Sequence, residues 1–352
     1  MTLEFDQLFP TINPIKAQGK LKVEPQDFMV TEHHDMSFTG AGEHLWFKVE
    51  KRNCNTAWVA TQLASACKVP ARQVGFAGLK DRHAITQQWF SVQLPKIKAI
   101  DDITAKLATG IEILEHHYHQ SKIKRGQLSF NAFKILIRDI SGDRAQIEKN
   151  ITAIQQSGVP NYFGPQRFGH HMGNIQQAED WFEERIRVNN RNKRGILISA
   201  ARSHLFNLMV AVRIKQGIWD RSIDGDIMQL DGSHSWFPAS AASTTEINDR
   251  LAALDIHISA ALWGEDAVQS SGECAALEQQ IAQQHPSFLK GFAAHRVKQD
   301  RRSVRVVPQH FSHQWQDDAL RLSFNLKPGA YATGVIREVL KCHDHATQAK
   351  PQ

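Results

Sequence analysis

The chain of 352 residues is longer than one ordinary domain, so its length predicts two domains or one domain with a large insertion. Its 41% hydrophobic and 22% charged residues are typical of a folded protein and argue against extended disorder. The formal net charge of +6 favours a polyanionic partner such as nucleic acid or an anionic membrane surface, and no apolar run approaches the roughly 20 residues of a membrane span.

Several classes of protein are disfavoured by what the sequence lacks. The start of the chain has neither the basic segment nor the apolar centre of a signal peptide, so we expect a cytoplasmic protein that does not associate with a membrane. The four cysteines form no C-x-x-C pair, which argues against a zinc knuckle or a disulfide framework. The histidine-rich run at 116–119 places at most His117 and His119 on one side of a strand, without acidic partners. We therefore expect no metal site.

The first part of the chain, to about residue 155, is predicted to mix strands with a helix. Alternating residues from Phe28 and from Leu45 indicate two strands, and Asn55 or Thr56 is expected to begin a helix that ends near Cys67. Further strands are predicted over 74–77, 89–92 and 130–137. This order is not a regular βαβ repeat, so it favours an α+β fold with a largely antiparallel sheet.

A Gly- and Pro-rich run at 157–165 indicates a crossing between domains. Helices are predicted beyond it, over 176–186, 199–215 and 275–284. From Val304 the strand character returns, with a strand over 320–326 and a final helix over 333–340. The pattern predicts a split domain, formed by residues 1–156 and 306–352, that is interrupted by an inserted domain of residues 157–305.

Familiar cofactor and hydrolase motifs are missing. The chain contains no G-x-x-x-x-G-K-[ST] loop, no G-x-G-x-x-G after a strand, no H-E-x-x-H and no G-x-S-x-G. This disfavours enzymes that depend on a nucleotide, a dinucleotide or zinc, and we expect no cofactor.

The segment with the strongest chemical character is 75–87. A short strand leads into a loop at Gly78, where glycine permits unusual backbone angles. Asp81 follows between Lys80 and Arg82, whose positive charges would hold its carboxylate ionised. Such a carboxylate can act as a nucleophile or a base, but an exposed turn with local ion pairs is the commoner explanation of these residues alone.

Together with five other segments in the same order, this loop resembles the motifs of the TruD-type tRNA pseudouridine synthases. Two departures are conservative, because Gln26 replaces a common Glu beside an intact Asp27-Phe28, and Tyr331 replaces a common Phe. The resemblance covers nearly the whole chain and implies a pseudouridine synthase catalytic domain with an inserted α/β domain. The segments are 22–32, 53–56, 74–87, 126–133, 158–169 and 328–333 with 337–338.

The resemblance also implies an activity, the conversion of a uridine in tRNA, at position 13 of the D arm, to pseudouridine. Nothing is oxidised in that reaction and no group is transferred, which agrees with the missing cofactor motifs. Asp81 corresponds to the catalytic carboxylate, which either attacks C1′ of the ribose or removes a C2′ proton. The substrate-binding residues implied are Phe28, Asn131, Tyr331, Lys22, Glu32, Lys80 and Phe133.

Each of these residues carries a chemical reason. Tyr331 offers a face for a flipped-out base, and the amide of Asn131 could pair with a uracil edge. Lys22 and Glu32 are expected as ions next to the site. Phe28 and Phe133 are explained equally well as strand core.

Binding of tRNA should depend on phosphate contacts from basic runs. The candidates are Arg191, Lys193, Arg194, Arg202, Arg301 and Arg302, although such runs are often only solvated faces. Two alternatives remain, a non-catalytic RNA-binding protein and a glycosidase-type enzyme. The second would need another carboxylate near Asp81, and no such partner is evident nearby in the sequence. The oligomeric state is left open, with a monomer as the expectation.

Overall fold

The computed structural model of the protein describes residues 5–94, 99–233 and 235–345. Its strands are β1 (Ala17–Leu21), β2 (Phe28–His33), β3 (His44–Arg52), β4 (Val74–Phe76), β5 (Ile85–Gln93), β6 (Ile111–His119), β7 (Phe130–Gly142), β8 (Val159–Pro160), β9 (Ile227–Leu230), β10 (Trp236–Pro238), β11 (Ile256–Leu262), β12 (Asp300–Ser303), β13 (Arg305–Val306), β14 (Gln309–Gln316), β15 (Ala319–Leu326) and β16 (Lys341–Asp344). Its α-helices are α1 (Phe5–Leu8), α2 (Thr56–Cys67), α3 (Ile100–Thr104), α4 (Arg144–Ser157), α5 (Gly173–Phe182), α6 (Arg191–Lys215), α7 (Thr244–Ala252), α8 (Gly272–Gln283), α9 (Pro286–Ala294) and α10 (Ala332–Val339).

Contacts within the chain divide it into two compact units. The sheet unit consists of Lys16–Gln146, Pro308–Gly329 and Leu340–Gln352. The helical unit consists of Met1–Ile15, Ile147–Val307 and Ala330–Val339. The domain boundaries predicted from the sequence, at 156/157 and 305/306, stay a prediction.

A mixed sheet forms the centre of the sheet unit, with the strand order β14-β15-β7-β2-β5-β3-β6. Strand β1 pairs with β7 and β16, and β4 pairs with β5. Parallel pairing joins β2 to β5 and β1 to β16, whereas the other strand pairs among the described residues of this sheet are antiparallel. The prediction of an α+β fold with a largely antiparallel sheet is confirmed.

Helix α2 covers one face of this sheet. It begins after Asn55 and ends at Lys68, whose backbone is left-handed. Its apolar residues Val59 and Leu63 are fully buried in a cluster with residues of β3 and β5, such as Phe47. The predicted helix over this segment is confirmed, because its apolar spacing matches a helix that packs on a sheet.

Helix α6 is the central element of the helical unit and is packed by α5, α8 and α9. It is long and apolar enough to span a membrane by length and composition, but 61% of its most apolar window is buried inside the protein, as in a core helix. It starts eight residues before the predicted helix at Ser199, because Asn190 caps it by accepting a hydrogen bond from the Lys193 N–H. A second sheet, β10-β9-β11-β12, lies in the same unit.

Candidate active site

Asp81 lies in the loop between β4 and β5 of the sheet unit, and its side chain is 33% exposed. One carboxylate oxygen forms an ion pair with Lys22 Nζ, and the other accepts a hydrogen bond of 3.1 Å from the His83 N–H. Lys22 itself is only 8% exposed and lies 4.8 Å above the ring of Phe28. The carboxylate is therefore fixed on one side and open to solvent on the other.

Lys80 does not have the place expected from the sequence. Its ammonium group forms an ion pair with Glu32, and Arg82 is exposed. The cation that pairs with Asp81 is instead Lys22, which comes from the loop after β1. Adjacent side chains of an extended segment leave the backbone in different directions, so neighbours in sequence need not be neighbours in space.

Glu32 is a buried charge with several partners. It pairs with Lys80, and its Oε1 lies 2.9 Å from His34 Nε2 and accepts a longer contact of 3.3 Å from the Trp89 N–H. Burial alone would raise the pKa of Glu32, but the hydrogen bond with His34 and the charge of Lys80 outweigh it and lower the pKa below its ordinary value. Glu32 is thus an ionised anchor for the loop.

The backbone of the loop is held by buried polar side chains that the sequence analysis missed. Lys51 Nζ donates hydrogen bonds of 2.7 Å to the carbonyl oxygens of Cys54 and Asp81. The Thr56 hydroxyl accepts from the Lys80 N–H at 2.9 Å and donates to Gln88 at 2.9 Å. The Gln88 amide donates to the Gly78 carbonyl at 3.1 Å.

A signal for one of these residues is present in the sequence. Lys51 continues the alternation of Leu45, Phe47 and Val49 in β3, and all four side chains are fully buried. A lysine at an inward position of a strand needs hydrogen-bond partners, which could have identified it as a structural anchor. Burial lowers the pKa of Lys51 to about 8.

A second carboxylate shares Lys22 with Asp81. Asp344 Oδ2 in β16 lies 3.2 Å from Lys22 Nζ, and its side chain is partly exposed. No acidic partner for Asp81 was expected from the sequence, because 263 positions separate the two residues and Asp344 is brought to Lys22 only by the pairing of β16 with β1, which places it opposite Leu21. That expectation is wrong in this respect.

Asn131 lies on β7, opposite Glu32 of β2 and Leu326 of β15. Its side-chain oxygen is buried and has no hydrogen-bond partner in the part of the chain that the structure describes. Buried polar atoms are rarely left unsatisfied, so this oxygen is an acceptor available to a ligand.

Phe28 and Phe133 lie on the neighbouring strands β2 and β7. Their ring centroids are 6.2 Å apart, and Phe133 also stacks on Phe324 at 5.5 Å. Phe28 is almost completely buried, whereas Phe133 is half-buried. Both rings therefore contribute to strand packing, and Phe28 in addition supports the ammonium group of Lys22.

Tyr331 belongs to the helical unit. Its hydroxyl accepts a hydrogen bond of 3.0 Å from Arg167, whose other guanidinium nitrogen donates to Ser199 at 3.1 Å. A phenylalanine could not make this bond, so the departure from the family pattern has a local partner. The role of Tyr331 in uridine binding stays a prediction.

Three of the arginines predicted to contact RNA form hydrogen bonds within the protein instead. Arg301 is buried and bonded to Glu278 and Ser259. Arg202 donates to carbonyl oxygens at the ends of β11 and before β12, and Arg302 is half-buried, stacked on Phe163 at 4.3 Å and bonded to Asn161. These placements do not support phosphate contacts, because the guanidinium groups of the three residues are used inside the protein.

The other basic candidates lie at the start of α6. Arg191 and Arg194 are exposed, and Lys193 is half-buried with its ammonium group 3.3 Å from Asn174. Only this cluster of the predicted residues presents positive charge to solvent. It is compatible with an RNA phosphate, which needs an accessible cation.

The histidine-rich run lies on β6. His117 stacks on Phe38 at 4.3 Å and lies 2.9 Å from Glu115, and His119 meets the edge of the same Phe38 ring. These contacts agree with the shared side that alternation predicts, but the expectation of no acidic partner is wrong for His117, because Glu115 lies two residues earlier on the same strand. Within residues 5–94, 99–233 and 235–345, no group of three or more His, Cys, Asp or Glu side chains could hold a metal ion.

Comparisons with known proteins agree with one another. The family model described as tRNA pseudouridine synthase D (TruD) matches residues 11–177 and 170–339. Two relatives carry the name tRNA pseudouridine synthase D. The first, from Hydrogenovibrio crunogenus, is 40% identical over 322 residues, which are 91% of this chain and 92% of the relative. The second, from Vibrio parahaemolyticus, is 38% identical over 326 residues, which are 92% of this chain and 93% of the relative.

The fold also has a counterpart among solved structures. A crystal structure from Methanosarcina mazei, described as a candidate tRNA pseudouridine synthase D, matches with a TM-score of 0.72 at 21% identity. The match covers 94% of this chain and 95% of that chain. At this identity the likeness shows the fold alone.

Proposed function

Because this chain belongs to the tRNA pseudouridine synthase D (TruD) family, a family of isomerases, we propose that it converts a uridine of tRNA to pseudouridine with Asp81 as the catalytic carboxylate. The observation that supports this role is that Asp81 is partly exposed to solvent and lies next to buried charged side chains, namely Lys22 and the pair of Lys80 and Glu32. Its loop is anchored by Lys51, Thr56 and Gln88, and its carboxylate is paired with Lys22 but reachable from solvent.

The reaction requires that the bond from C1′ of the ribose to N1 of uracil breaks and that C1′ joins C5. The proton on C5 is released, N1 gains a proton, and no other atom is exchanged. Asp81 either attacks C1′ or removes the C2′ proton, and both steps need an ionised carboxylate in a fixed position. Lys22 forms an ion pair with this carboxylate and holds it in position.

The uridine must leave the RNA stack to reach Asp81, at a cost of a few kcal/mol. We propose that the side-chain oxygen of Asn131 accepts a hydrogen bond from N3–H of uracil. The reaction changes the bonds of N1 and C5 and leaves this N–H intact. Phe28 and Phe133 shape this part of the site together with Lys22, Lys80 and Glu32, and Tyr331 is assigned as a stacking face. Arg191, Lys193 and Arg194 are assigned to RNA phosphates.

The finer features of the proposal follow the family resemblance. The target is position 13 in the D arm, the enzyme works in the cytoplasm, and no cofactor takes part. The split catalytic domain, residues 1–156 and 306–352, carries the chemistry, and residues 157–305 form the insertion. Mapping of the modified position in tRNA from a deletion strain and its parent tests the target.

Release of tritium from C5-tritiated uridine in an unmodified tRNA transcript tests the catalytic role. We expect release by the unaltered protein and none by Asp81→Asn. Asp139→Asn is the matched control, because Asp139 is an exposed carboxylate paired with Lys20 in the same unit, and it should leave the rate unchanged. Equal release by the unaltered protein and Asp81→Asn would contradict the proposal.

The same reactions separate the two alternative functions. A non-catalytic RNA-binding protein would bind the transcript and release no tritium. A glycosidase-type enzyme, for which Asp344 now offers a second carboxylate, would release free uracil. Chromatography of the products should show pseudouridine and no free uracil.

A further inference from the structure

Leu79 is the most exposed of the large hydrophobic residues on the described surface, at 70%. The others reach at most 48%, and one of them, Leu114 on β6, is 41% exposed. Single apolar residues on a surface are common, so exposure by itself assigns no role. The position of Leu79, two residues before Asp81, is what makes its exposure informative.

The backbone on both sides of Leu79 is fixed from inside the protein. The Gly78 carbonyl accepts from Gln88, and the Lys80 N–H donates to Thr56. Gln88 and Thr56 are buried and bonded to each other at 2.9 Å. Buried polar groups must be paired to be tolerated, so these two residues define one backbone path for the loop.

The loop therefore separates its side chains by chemistry. Lys80 turns inward to Glu32, whereas the Leu79 side chain lies mostly in solvent. The exposed residues after Asp81 are Arg82 and His83, which can carry positive charge. In RNA, stacked apolar base faces lie between charged phosphates. An apolar side chain on a fixed backbone could contact the bases, while the cations beside it contact the phosphates.

The reaction proposed above creates a place for such a side chain. When a nucleotide leaves a helix, its neighbours lose a stacking partner and a gap remains. Proteins that open nucleic acids often insert an apolar residue between bases. Two residues of extended chain span at most about 7 Å, so one loop can offer Asp81 to the ribose and Leu79 to the gap beside it.

We propose that Leu79 is the wedge that enters the RNA stack at the place the target uridine leaves and holds the RNA open during isomerisation. This inference rests on the proposed function of the Asp81 loop. The ligand of Leu79 is the pair of bases that flank the target, and the contact is apolar and independent of their sequence.

Single-turnover rates on two transcripts test the wedge. One is the unmodified tRNA, and the other carries an abasic nucleotide opposite the target, which weakens pairing before the protein binds. We expect Leu79→Ala to slow the first reaction by about tenfold or more and the second by less than about threefold, because a loosened base needs little help to leave. Leu79→Met, which keeps a long apolar side chain, should retain most of the rate on both.

Leu114→Ala is the matched control, because it shortens another exposed leucine of the sheet unit outside the loop. It should leave both rates unchanged. Two results would overturn the inference, namely a Leu79→Ala rate equal to that of the unaltered protein on tRNA, or an equal loss on both transcripts. The second result would indicate a general defect of the loop.

A binding experiment tests the wedge without turnover. A transcript with 2-aminopurine next to the target becomes more fluorescent when that base is unstacked, and Asp81→Asn can be used to prevent reaction. We expect the increase with Asp81→Asn and its loss in the double variant with Leu79→Ala. Equal increases would exclude the wedge even if the unaltered protein released no tritium, so failure of the wedge and failure of the proposed function give different results.

Discussion

Both units contain buried ion pairs, but only the set in the sheet unit includes a charged group that is partly exposed to solvent. In the sheet unit, Glu32 and Lys80 form a buried pair, and Lys51 holds the backbone of Asp81, whose carboxylate remains partly in solvent. In the helical unit, Arg301 and Glu278 form a pair that is almost completely buried at both ends. Only the set in the sheet unit leaves a charged group open to a ligand, so burial of an ion pair does not by itself mark a candidate site.

Further hydrogen bonds within the protein satisfy the other polar atoms of the Arg301–Glu278 pair in the helical unit. Arg301 donates to the hydroxyl and the carbonyl of Ser259, and Glu278 accepts from the Ser270 hydroxyl and the Ala261 N–H. Each charge therefore has partners within the protein. Such a pair holds elements together, here α8, β11 and β12, and has nothing left for a ligand.

The largest effect is expected from Lys22→Met in the sheet unit. Loss of this cation removes the ion pair that holds the carboxylate of Asp81 in one position and the contact that joins it to Asp344. We expect the single-turnover rate at neutral pH to fall by roughly 100-fold or more, as when other fixed electrostatic partners are removed. Quenched-flow measurement of tritium release gives the rate.

Lys20→Met provides the control for this variant, since Lys20 lies two residues away and pairs with Asp139 in solvent. Exposed ion pairs contribute little, so its rate should match that of the unaltered protein. Equal rates for Lys22→Met and Lys20→Met would mean that the charge set does not act on the reaction.

Glu278→Gln should show the opposite pattern in the helical unit. It leaves Arg301 buried without its charge partner, which typically costs about 3 kcal/mol of unfolding free energy. The rate per folded molecule should be unchanged. Urea denaturation and the tritium assay measure the two quantities, and Glu184→Gln, which breaks an exposed pair with Lys290, should cost less than about 1 kcal/mol. A rate loss in Glu278→Gln without a stability loss would remove the contrast between the units.

The fold was largely accessible from the sequence where apolar spacing is regular. Helix α2 follows a period of 3.6 and the middle of strand β7 a period of 2, and the α+β class follows from the order of the elements. The first two turns of α6 were missed because 191–196 contains mostly polar residues, so only the cap at Asn190 marks its start. Propensity cannot show such a start when tertiary contacts stabilise it.

The site was accessible only in part. The family resemblance identified Asp81 as the candidate. Relatives that are about 40% identical now show that the chain belongs to that family. The partners of Asp81 were assigned wrongly from sequence neighbours, because the pairing with Lys22 and the approach of Asp344 depend on strand pairing between distant segments. Long-range pairs of this kind leave no local pattern in a single sequence.

Glu338 in α10 offers a third arrangement, a buried carboxylate for which the neighbouring charge of Arg337 does not outweigh the effect of burial on its pKa. It accepts a hydrogen bond of 2.9 Å from the Ile12 N–H, but burial raises its pKa to about 7. A carboxyl whose pKa is raised on folding stabilises the folded state below its unfolded pKa, and this contribution is lost as pH rises through the folded value. Stability should therefore decline between about pH 4.5 and 7.5.

Glu338→Gln should remove this dependence, because the amide keeps the acceptor and cannot ionise. At pH 8 we expect the variant to be more stable than the unaltered protein by about 2 kcal/mol, and at pH 4.5 to be nearly equal to it. Urea denaturation at both values measures the difference. A variant that is less stable at pH 8 would show that the ionised carboxylate is satisfied by the fold.

The smallest effect concerns Lys51, where stability and activity should change in opposite directions. Burial lowers the pKa of Lys51 to about 8, so its charge is lost in the folded protein at moderately basic pH. A neutral amine makes weaker hydrogen bonds than an ammonium group, and the carbonyl of Asp81 would be held less firmly. We expect the reaction rate to fall by about fivefold between pH 7 and 9.5.

Stability should rise with pH while the rate falls, because the folded state binds the proton on Lys51 less tightly than the unfolded state does. The unfavourable burial of the charge is complete below pH 8 and is relieved as pH rises from about 8 towards 10.5, so this group makes the protein more stable over that range. Lys51→Met should lack both changes, whereas Lys48→Met, on the same strand with a partly exposed side chain, should retain them. A parallel loss of rate and stability would indicate general unfolding, and only opposite trends fit a buried lysine that positions the Asp81 loop.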